Sequence, residues 1–373
     1  MALVKDLIDS VLFPNREVHS IPVLDGALSP NNRLDTARPL GEPIPGPDDL
    51  AMDAAQQVLY VSTQDTILRC TGADFGHREV FAHLPGSVGG LACSPSGQVF
   101  ACVSGVGVVV LSTEARVLRT IDQAGGVPIH CPTAVTIGPD GTVFITDGSL
   151  AHATSDWLPD LMENLPPSGR LVAVNPNGVV RVLADRLNWP GGVEIARNSA
   201  EILVTETWSH RLLAFPLTGG KPRVLVKNFS GYPSRLSADG IGGYWIAFFG
   251  MRTQLVEFVL REREYCKAMM ARIPQELWIA PTLGGTFDYR EPTQIGRIKK
   301  LGIQKPWAPP RSYGLVARLD STGSALESLH SRVDGHMHGV TAVRRFQGRT
   351  LAVLKGAGLL VELPPIQMPD VSR

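Results

Sequence analysis

Short alternations of apolar and polar residues recur six times along the chain, each followed by a polar turn and a more apolar run. In the clearest unit, the alternating residues 132–137 lead through Gly138-Pro139-Asp140-Gly141 to the apolar run 143–146. Alternation of this kind is typical of half-buried strands, and turn residues between two such runs indicate a β-hairpin. A third apolar run follows most of the hairpins. The other units begin near residues 47, 89, 190, 233 and 338.

Repetition of this unit predicts a single all-β domain, because one hairpin cannot bury both of its faces. Six hairpin-based sheets stacked radially cover one another and leave only short edges, which is the arrangement of a β-propeller. The spacing of about 40 residues between most units fits a four-stranded blade. We therefore predict a six-bladed β-propeller over residues 46–373, on which an N-terminal extension, residues 1–45, packs.

Two of the spacings are longer, and they place insertions in the third and fifth blades. In the fifth blade, residues 262–273 have the pattern of a helix, which Pro274 ends because proline cannot continue a helix. A proline-rich stretch containing Trp307 follows, and the strand pattern resumes at residue 312. We predict a helical, proline-rich insertion over about 261–311 that covers one mouth of the propeller channel.

The charge balance argues against several classes of partner. Lys plus Arg and Asp plus Glu number 35 each, so nothing indicates binding to nucleic acid or to an anionic membrane surface. No apolar run reaches the length of a transmembrane segment. Lys5, Asp6 and Asp9 interrupt the N-terminus, where a secretion signal would be apolar. We expect a cytoplasmic protein with a small-molecule substrate, and the oligomeric state stays open.

Five cysteines form no C-x-x-C pair and leave one unmatched. This pattern is typical of buried free thiols in a reducing compartment, where they behave as small apolar side chains. A bridge between Cys93 and Cys102, which flank one predicted hairpin, stays open as the alternative.

Three segments carry a resemblance to a known family. They are Trp-Pro-Gly-Gly-Val-Glu at 189–194, Glu-Thr-Trp-Ser-His-Arg at 206–211 and Gly-Tyr-Pro-Ser-Arg at 231–235. In this order they are similar to the strictosidine synthase-like branch of the six-bladed propellers, whose superfamily also contains paraoxonases and gluconolactonases. The resemblance runs from about residue 46 to the C-terminus and implies the same fold. Because one fold serves many functions, the site is argued separately.

The resemblance implies a channel-bound Ca²⁺-type ion only in part. Lactonases and paraoxonases of this superfamily hold such an ion, and Asp48 and Asp49 are similar to their acidic first-blade position. A hard cation needs six to eight oxygens. The further oxygen-bearing residues of the superfamily site are replaced here by Pro132, Gly191 and Ser234. Arg235 also adds a positive charge, so Ca²⁺ is not an expected cofactor, and its binding by Asp48 and Asp49 stays an alternative.

Two catalytic groups of the superfamily are also replaced. The glutamate that performs acid–base chemistry in strictosidine synthases corresponds to Thr341. The second-blade histidine of paraoxonases corresponds to Gly89 or Gly90. Since a threonine cannot exchange protons near neutral pH as a carboxylate can, strictosidine synthase activity itself is not expected.

The polar residues that remain predict a different site. The innermost strand of each blade lines the channel, so the residues that open these strands converge there. We predict that His130 or His338 activates water, which Asp48 assists by orienting the histidine. Arg235 would polarise a carbonyl group. Predicted contacts to the substrate come from Asp49, Thr133, Ser234, His336, Thr341 and Trp307.

Each of these residues also has a simpler interpretation. The histidines can be hydrogen-bonded surface residues, and Arg235 can form an ion pair with Asp48 or Asp49. Glu206 and His210 are interpreted as scaffold residues.

Together, the predicted catalytic and substrate-contacting residues indicate a hydrolase of a small ester, a lactone or a related cyclic metabolite. No serine nucleophile elbow, phosphate loop, dinucleotide fingerprint or zinc-ligand spacing stands out in the sequence. A propeller that lost the catalytic groups of its family and kept a pocket would instead be a non-catalytic binding protein. Carbon–nitrogen bond formation by an altered site is the third hypothesis.

Overall fold

Six sheets form a closed ring. A computed structural model describes residues 20–198, 200–217, 220–285, 299–300, 303–304 and 312–366. This part of the chain contains six antiparallel sheets of four strands each, together with two short hairpins. The predicted all-β class and six-bladed propeller are therefore confirmed.

The first three blades take their strands consecutively from the chain, after the short strand β1 (Arg38–Pro39). Blade one consists of β2 (Pro47–Asp53), β3 (Val58–Thr63), β4 (Thr66–Thr71) and β5 (His77–His83). Blade two consists of β6 (Val88–Cys93), β7 (Val99–Val103), β8 (Gly107–Leu111) and β9 (Val117–Ile121). After the hairpin β10 (Gln123–Ala124) and β11 (Val127–Pro128), blade three consists of β12 (Pro132–Ile137), β13 (Val143–Asp147), β14 (Gly169–Val174) and β15 (Val180–Leu187).

The last three blades follow the same plan, with the longest insertion in blade five. Blade four consists of β16 (Pro190–Ile195), β17 (Glu201–Glu206), β18 (Arg211–Pro216) and β19 (Arg223–Val226). Blade five consists of β20 (Gly231–Ala238), β21 (Tyr244–Met251), β24 (Gly314–Leu319) and β25 (Ala325–Ser331), and the hairpin β22 (Lys299–Lys300) and β23 (Ile303–Gln304) lies between its second and third strands in sequence. Blade six consists of β26 (Val340–Phe346), β27 (Arg349–Leu354), β28 (Leu359–Glu362) and β1.

The two ends of the described chain close the ring. β1 pairs antiparallel with β28, so a strand from near the N-terminus completes the blade built from the C-terminus. An ion pair of 2.7 Å between Arg38 and Glu362 joins the same two strands. The innermost strands β2, β6, β12, β16, β20 and β26 contact one another in this order, and β26 contacts β2. Part of the predicted extension 1–45 therefore contributes a strand, and its boundary stays a prediction.

Each innermost strand is irregular where it starts. The register of its pairing with the second strand shifts near Pro47, Val88, Pro132, Pro190, Pro233 and Val340. Such bulges disrupt the ladder and redirect side chains. Because all six innermost strands shift at corresponding places, the residues that follow are presented to the channel.

Hydroxyl groups connect neighbouring blades next to the channel. Ser62 donates to the carbonyl oxygen of Gly89 (2.7 Å), and Thr133 donates to that of Pro190 (2.5 Å). Thr205 donates to the carbonyl oxygen of Ser234, and Ser234 donates to that of Thr341 (2.8 and 2.9 Å). These bonds satisfy backbone groups that a bulge leaves without a partner in the ladder.

The core lies in the layers between adjacent blades. One layer packs Tyr60 of blade one against Val99 and Val103 of blade two, and the other interfaces repeat this arrangement with their own apolar residues. All five cysteines are free thiols, and four of them are buried, so the alternative bridge between Cys93 and Cys102 is absent.

Helices cover one side of the ring. α1 (Trp157–Glu163) lies between β13 and β14, and α2 (Gln254–Arg261) and α3 (Arg263–Arg272) follow β21. The Thr253 hydroxyl caps α2 by accepting from the amide of Val256. α3 confirms the helix predicted at 262–273, and α2, which was not predicted, precedes it. The proline-rich stretch with Trp307 lies outside the described residues.

Truncation of Leu34 tests how firmly the segment before β1 is anchored. Leu34 is fully buried in a cluster formed by blades five and six. Leu34→Ala is expected to lower the free energy of unfolding by about 2–5 kcal/mol, since it leaves a cavity. Urea unfolding measures the loss. Val23→Ala, at an exposed position, is the matched control, and an equal effect of the two variants would contradict the packing.

Candidate functional site

A cavity with an empty volume of about 550 Å³ opens where the innermost strands begin. That figure includes space open to solvent, and the part that a water-sized sphere can occupy is about 80 Å³, below the roughly 300–1,000 Å³ typical of pockets for drug-sized ligands. Its lining combines a polar floor with aromatic walls, and consists of Asp48, Thr133, Thr154, Trp157, Trp189, Gly191, Thr207, Trp208, Ser234, Arg235, Phe249, Leu283, Thr341 and Lys355.

Arg235 lies in the floor with its guanidinium surrounded by oxygens. Its Nη2 lies 2.5 Å from Asp48 Oδ1 and donates to the carbonyl oxygen of Thr133 at 2.9 Å. Its Nη1 donates to the carbonyl oxygen of Asp48 at 3.0 Å, and its Nε lies 3.2 Å from Asp49 Oδ2. Burial opposes the charge, but the two carboxylates outweigh it and raise the pKa of Arg235. The guanidinium thus remains charged and links blades one, three and five.

Asp48 is shared between two cations. Its Oδ2 lies 2.5 Å from Nζ of Lys355, whose side chain is 31% exposed. Burial alone would raise the pKa of Asp48, but Arg235 and Lys355 outweigh it and hold the pKa at about 2. The carboxylate is therefore ionised at neutral pH, and Lys355 is the more accessible of its two partners.

The carboxylate of Asp49 is held by contacts that support the fold. Its carboxylate is fully buried, accepts from the backbone amides of Leu50 and Leu91, and lies 3.4 Å from Nη2 of Arg344. Arg344 in turn lies 3.6 Å from Glu194, and the pKa of this glutamate is raised by burial, which Arg344 partly offsets. With both carboxylate oxygens engaged, Asp49 supports the floor from behind the cavity lining.

The walls are built from rings that pack on each other. Trp189 and Trp208 have centroids 5.2 Å apart, and Trp157 lies 5.3 Å from Phe249 in an edge-on arrangement. The Trp208 indole nitrogen donates to Asp160 Oδ1 on α1 at 2.8 Å. These contacts fix an apolar wall beside the charged floor, which suits a ligand with a hydrophobic body and a polar end.

Five of the predicted residues meet in this cavity. They come from blades one, three, five and six, and are Asp48, Thr133, Ser234, Arg235 and Thr341. The hydroxyl protons of Thr133 and Ser234 are already donated to neighbouring blades. These two hydroxyls can therefore offer a ligand only their acceptor lone pairs.

The three predicted histidines do not line the cavity. The side chains of His130 and His336 are exposed. His338 is buried, with Nδ1 2.9 Å from the Ser312 hydroxyl and Nε2 2.8 Å from the carbonyl oxygen of Arg332. Trp307 lies outside the described residues. The catalytic roles assigned to His130 and His338 stay predictions, and neither residue is placed where it shares the cavity with Asp48.

Several lining residues were not predicted from the sequence. Lys355 follows the second strand of blade six, whereas the predicted site consists mostly of residues at the openings of innermost strands. Trp189 and Trp208 lie in the segments that carry the family resemblance, and were read as markers only. Trp157 comes from an insertion, for which the strand pattern contains no signal.

The residues present do not fit a resident Ca²⁺. No group of three or more Asp, Glu, His or Cys side chains that could hold a metal occurs among the described residues. The position between Asp48 and Asp49 holds the guanidinium of Arg235. Since a second cation there would face an uncompensated positive charge, the alternative of Ca²⁺ bound by Asp48 and Asp49 is not supported by the geometry.

The fold and the cavity define a six-bladed β-propeller with a pocket where the innermost strands begin. The family described as strictosidine synthase matches residues 133–217. Protein STRICTOSIDINE SYNTHASE-LIKE 6 of Arabidopsis thaliana is 29% identical over 160 residues, 42% of this chain and 43% of that protein. Adipocyte plasma membrane-associated protein of Bos taurus is 24% identical over 335 residues, 83% of this chain and 74% of that protein. The chain is thus similar to the strictosidine synthase-like group of propellers, the resemblance that the sequence also showed.

Solved structures support the same fold. A gluconolactonase of Xanthomonas campestris superimposes with a TM-score of 0.60 at 16% identity, covering 92% of this chain and 95% of that one. The calcium-binding protein regucalcin of Agrobacterium tumefaciens gives a TM-score of 0.57 at 15% identity, covering 88% and 93%. At these identities the likeness concerns the fold alone. Among the plant relatives, the matched region spans 43–56% of the relative's own length.

The described helices are short. Within the described ranges, none combines the length and the apolar character needed to cross a bilayer.

Replacing Asp48 by Asn tests the ion pairs through the pH dependence of stability. Near neutral pH the variant is expected to lose about 3 kcal/mol of unfolding free energy, because a broken buried ion pair leaves cations uncompensated. A pKa of about 2 against the ordinary 3.8 corresponds to about 2 kcal/mol of stability. For a depressed pKa this stability is present above about pH 4 and is lost as the pH falls through about 2.

The difference between wild type and Asp48→Asn should therefore shrink as the pH falls. Urea unfolding at a series of pH values measures it. Asp185→Asn, at an exposed ion pair with Arg186, is the control and should change stability by no more than about 0.5 kcal/mol. A difference that stays constant over the acid range would show that Asp48 is not held ionised by its partners.

Proposed function

We propose that the chain is a hydrolase of a small lactone or ester bound in the channel cavity. The observation that carries the proposal is the contact of 2.5 Å between Asp48 and Lys355 in the floor of a cavity walled by tryptophans. An acceptor for a proton and a cation for a developing oxyanion are the two groups that water attack on a carbonyl requires. The structural likeness to a gluconolactonase favours the same class of reaction.

In the proposed reaction, the carbonyl oxygen of the substrate accepts a hydrogen bond from Nζ of Lys355. Asp48 then takes one proton of a water molecule while the water oxygen bonds to the carbonyl carbon. The electron pair of the carbonyl moves to the oxygen, which the lysine stabilises. The ester C–O bond breaks next, and the leaving alkoxide receives the proton from Asp48, giving a hydroxy acid or an acid and an alcohol.

The low pKa of Asp48 is compatible with this role only while substrate is bound. Arg235 and Lys355 together hold the pKa at about 2 in the free protein. A substrate carbonyl that engages Lys355 competes with Asp48 for the ammonium, and this weakens one of the two attractions. The carboxylate then becomes a stronger base at the moment when a proton must be accepted.

Substitution of either residue should abolish most of the activity. Lys355→Met and Asp48→Asn are each expected to reduce kcat/KM by about 100-fold, the magnitude typical of losing an oxyanion partner or a general base. A panel of γ- and δ-lactones and aryl esters, followed by acid release and mass spectrometry of the product, supplies the assay. Lys267→Met, at an exposed pair on α3, is the control. Retention of turnover within about threefold in both site variants would exclude this mechanism.

The tryptophan wall should affect binding more than chemistry. Trp157→Leu removes part of the apolar surface and is expected to raise KM by about 10-fold with little change in kcat, because uniform binding is lost. Steady-state kinetics on the best substrate measures both constants. Tyr265→Leu changes an exposed aromatic of α3 outside the cavity lining. A fall in kcat with constant KM would assign Trp157 a different role.

A binding protein is the second candidate, and one observation favours it. The charged groups of the floor pair with each other, and the hydroxyls of Thr133 and Ser234 donate to neighbouring blades. Such a floor can receive a ligand without reacting with it. Ligands that raise the melting temperature and are recovered unchanged would favour binding, whereas consumption that depends on Lys355 favours the hydrolase.

A further inference from the structure

We propose that Arg235 is a built-in replacement for a divalent cation, and that removing its charge uncovers a latent Ca²⁺ site. The inference concerns the chain without substrate and does not depend on the hydrolase proposal. It starts from the oxygens around the guanidinium, which are of the kind that hard cations take as ligands.

Four oxygens converge on this one side chain. Two are carboxylate oxygens, Asp48 Oδ1 and Asp49 Oδ2, and two are backbone carbonyl oxygens, those of Asp48 and Thr133. All lie within 3.2 Å of a guanidinium nitrogen. Anionic and carbonyl oxygens from two blades, gathered around a single positive charge, form the type of shell that Ca²⁺ completes with water.

The contact between Arg235 and Asp48 Oδ1 is an ion pair without hydrogen-bond geometry. Asp48 Oδ1 lies 2.5 Å from Nη2, yet it is buried and has no partner with hydrogen-bond geometry, and the same is true of Nε in Arg235. Charge attraction rather than directional bonding thus holds these groups together. A spherical ion imposes no angles on its ligands, so it can satisfy Asp48 Oδ1 where a planar guanidinium does not.

Steric contacts show that the guanidinium fills the space of the site. A Cβ placed on Gly89 would lie 3.3 Å from Nη2 of Arg235 and 3.7 Å from Asp48 Oδ1. At Gly192 the added Cβ would instead meet backbone of blade five, the carbonyl oxygen of Ser234 at 2.7 Å and the Cα of Arg235 at 2.8 Å. Blade two therefore contributes a glycine, Gly89, where a side chain would crowd the guanidinium of Arg235. Arginine and ion are mutually exclusive occupants.

Arg235→Ser tests the proposal in the full-length chain. Removal of the guanidinium leaves Lys355 and Arg344 as the charged partners of Asp48 and Asp49 among the described residues. We expect the variant to be destabilised in EDTA and to gain about 3 °C or more in melting temperature with about 1 mM Ca²⁺. Mg²⁺ should have a smaller effect, because it needs a tighter octahedral shell than these oxygens offer.

Terbium luminescence detects metal binding at the site without any enzymatic assay. Trp189 and Trp208 line the same cavity and can sensitise Tb³⁺ bound there. Arg235→Ser should give a saturable signal that Ca²⁺ displaces, whereas wild type should give none and should keep its melting temperature in EDTA. Arg235→Lys, which keeps a positive charge, should behave as wild type. Arg344→Ser removes another arginine that contacts Asp49 and leaves the site occupied, so it should also give no signal.

Several results of these experiments would contradict the proposal of a latent Ca²⁺ site. Ca²⁺ binding by wild type, or loss of its stability in EDTA, would overturn the proposal, as would an Arg235→Ser variant that folds and binds neither Tb³⁺ nor Ca²⁺. If Arg235→Ser does not fold even with Ca²⁺, wild type and Arg235→Lys still decide, because Ca²⁺ binding by Arg235→Lys also contradicts it. Absence of hydrolysis in every variant would affect the proposed function alone.

Discussion

The buried pairing of Arg235 with Asp48 and Asp49 is the interaction on which the site depends. Bringing a guanidinium and two carboxylates out of water costs several kcal/mol per ion, and only close partners compensate. Here the arginine belongs to blade five, the carboxylates to blade one, and a further acceptor, the carbonyl oxygen of Thr133, to blade three. The charges are therefore compensated only once the ring has formed. Folding of the ring and assembly of the cavity floor are one process.

Polar side chains that line the cavity form hydrogen bonds between neighbouring blades. Hydroxyls next to the channel donate to carbonyl groups of the following blade, as Thr133 does to Pro190 and Ser234 to Thr341. Buried polar groups need such partners, so most of the floor is committed to structure. Lys355, partly exposed and joined to Asp48, is the group that a ligand reaches most easily. This restricts the chemistry of the site to what one accessible cation and one carboxylate can do.

The fold could be predicted because the alternation of apolar and polar residues shows which face of a strand is buried. Each of the six hairpins then needs neighbouring hairpins to cover its faces. Asp48 and Arg235 could be placed in the channel for the same reason, since both open innermost strands. The position of His130 could not be predicted, because His130 precedes β12 and the alternation that orients side chains along a strand does not extend to the residues before it. Lys355 could not be predicted from the openings of innermost strands, because it follows the second strand of blade six. The tryptophan wall depends on how an insertion packs, which local pattern does not encode.

Closure of blade six by β1 has a consequence for the order of events during synthesis. β1 leaves the ribosome early, yet its partner β28 is among the last strands to be made. At about 5–20 residues per second, the first strand waits for tens of seconds with its pairing edge unoccupied. Blades one to five can fold while the chain is being synthesised. Blade six cannot be completed until β28 has been made. In a nascent chain of this protein, β1 therefore stays without its partner strand until β28 has been made.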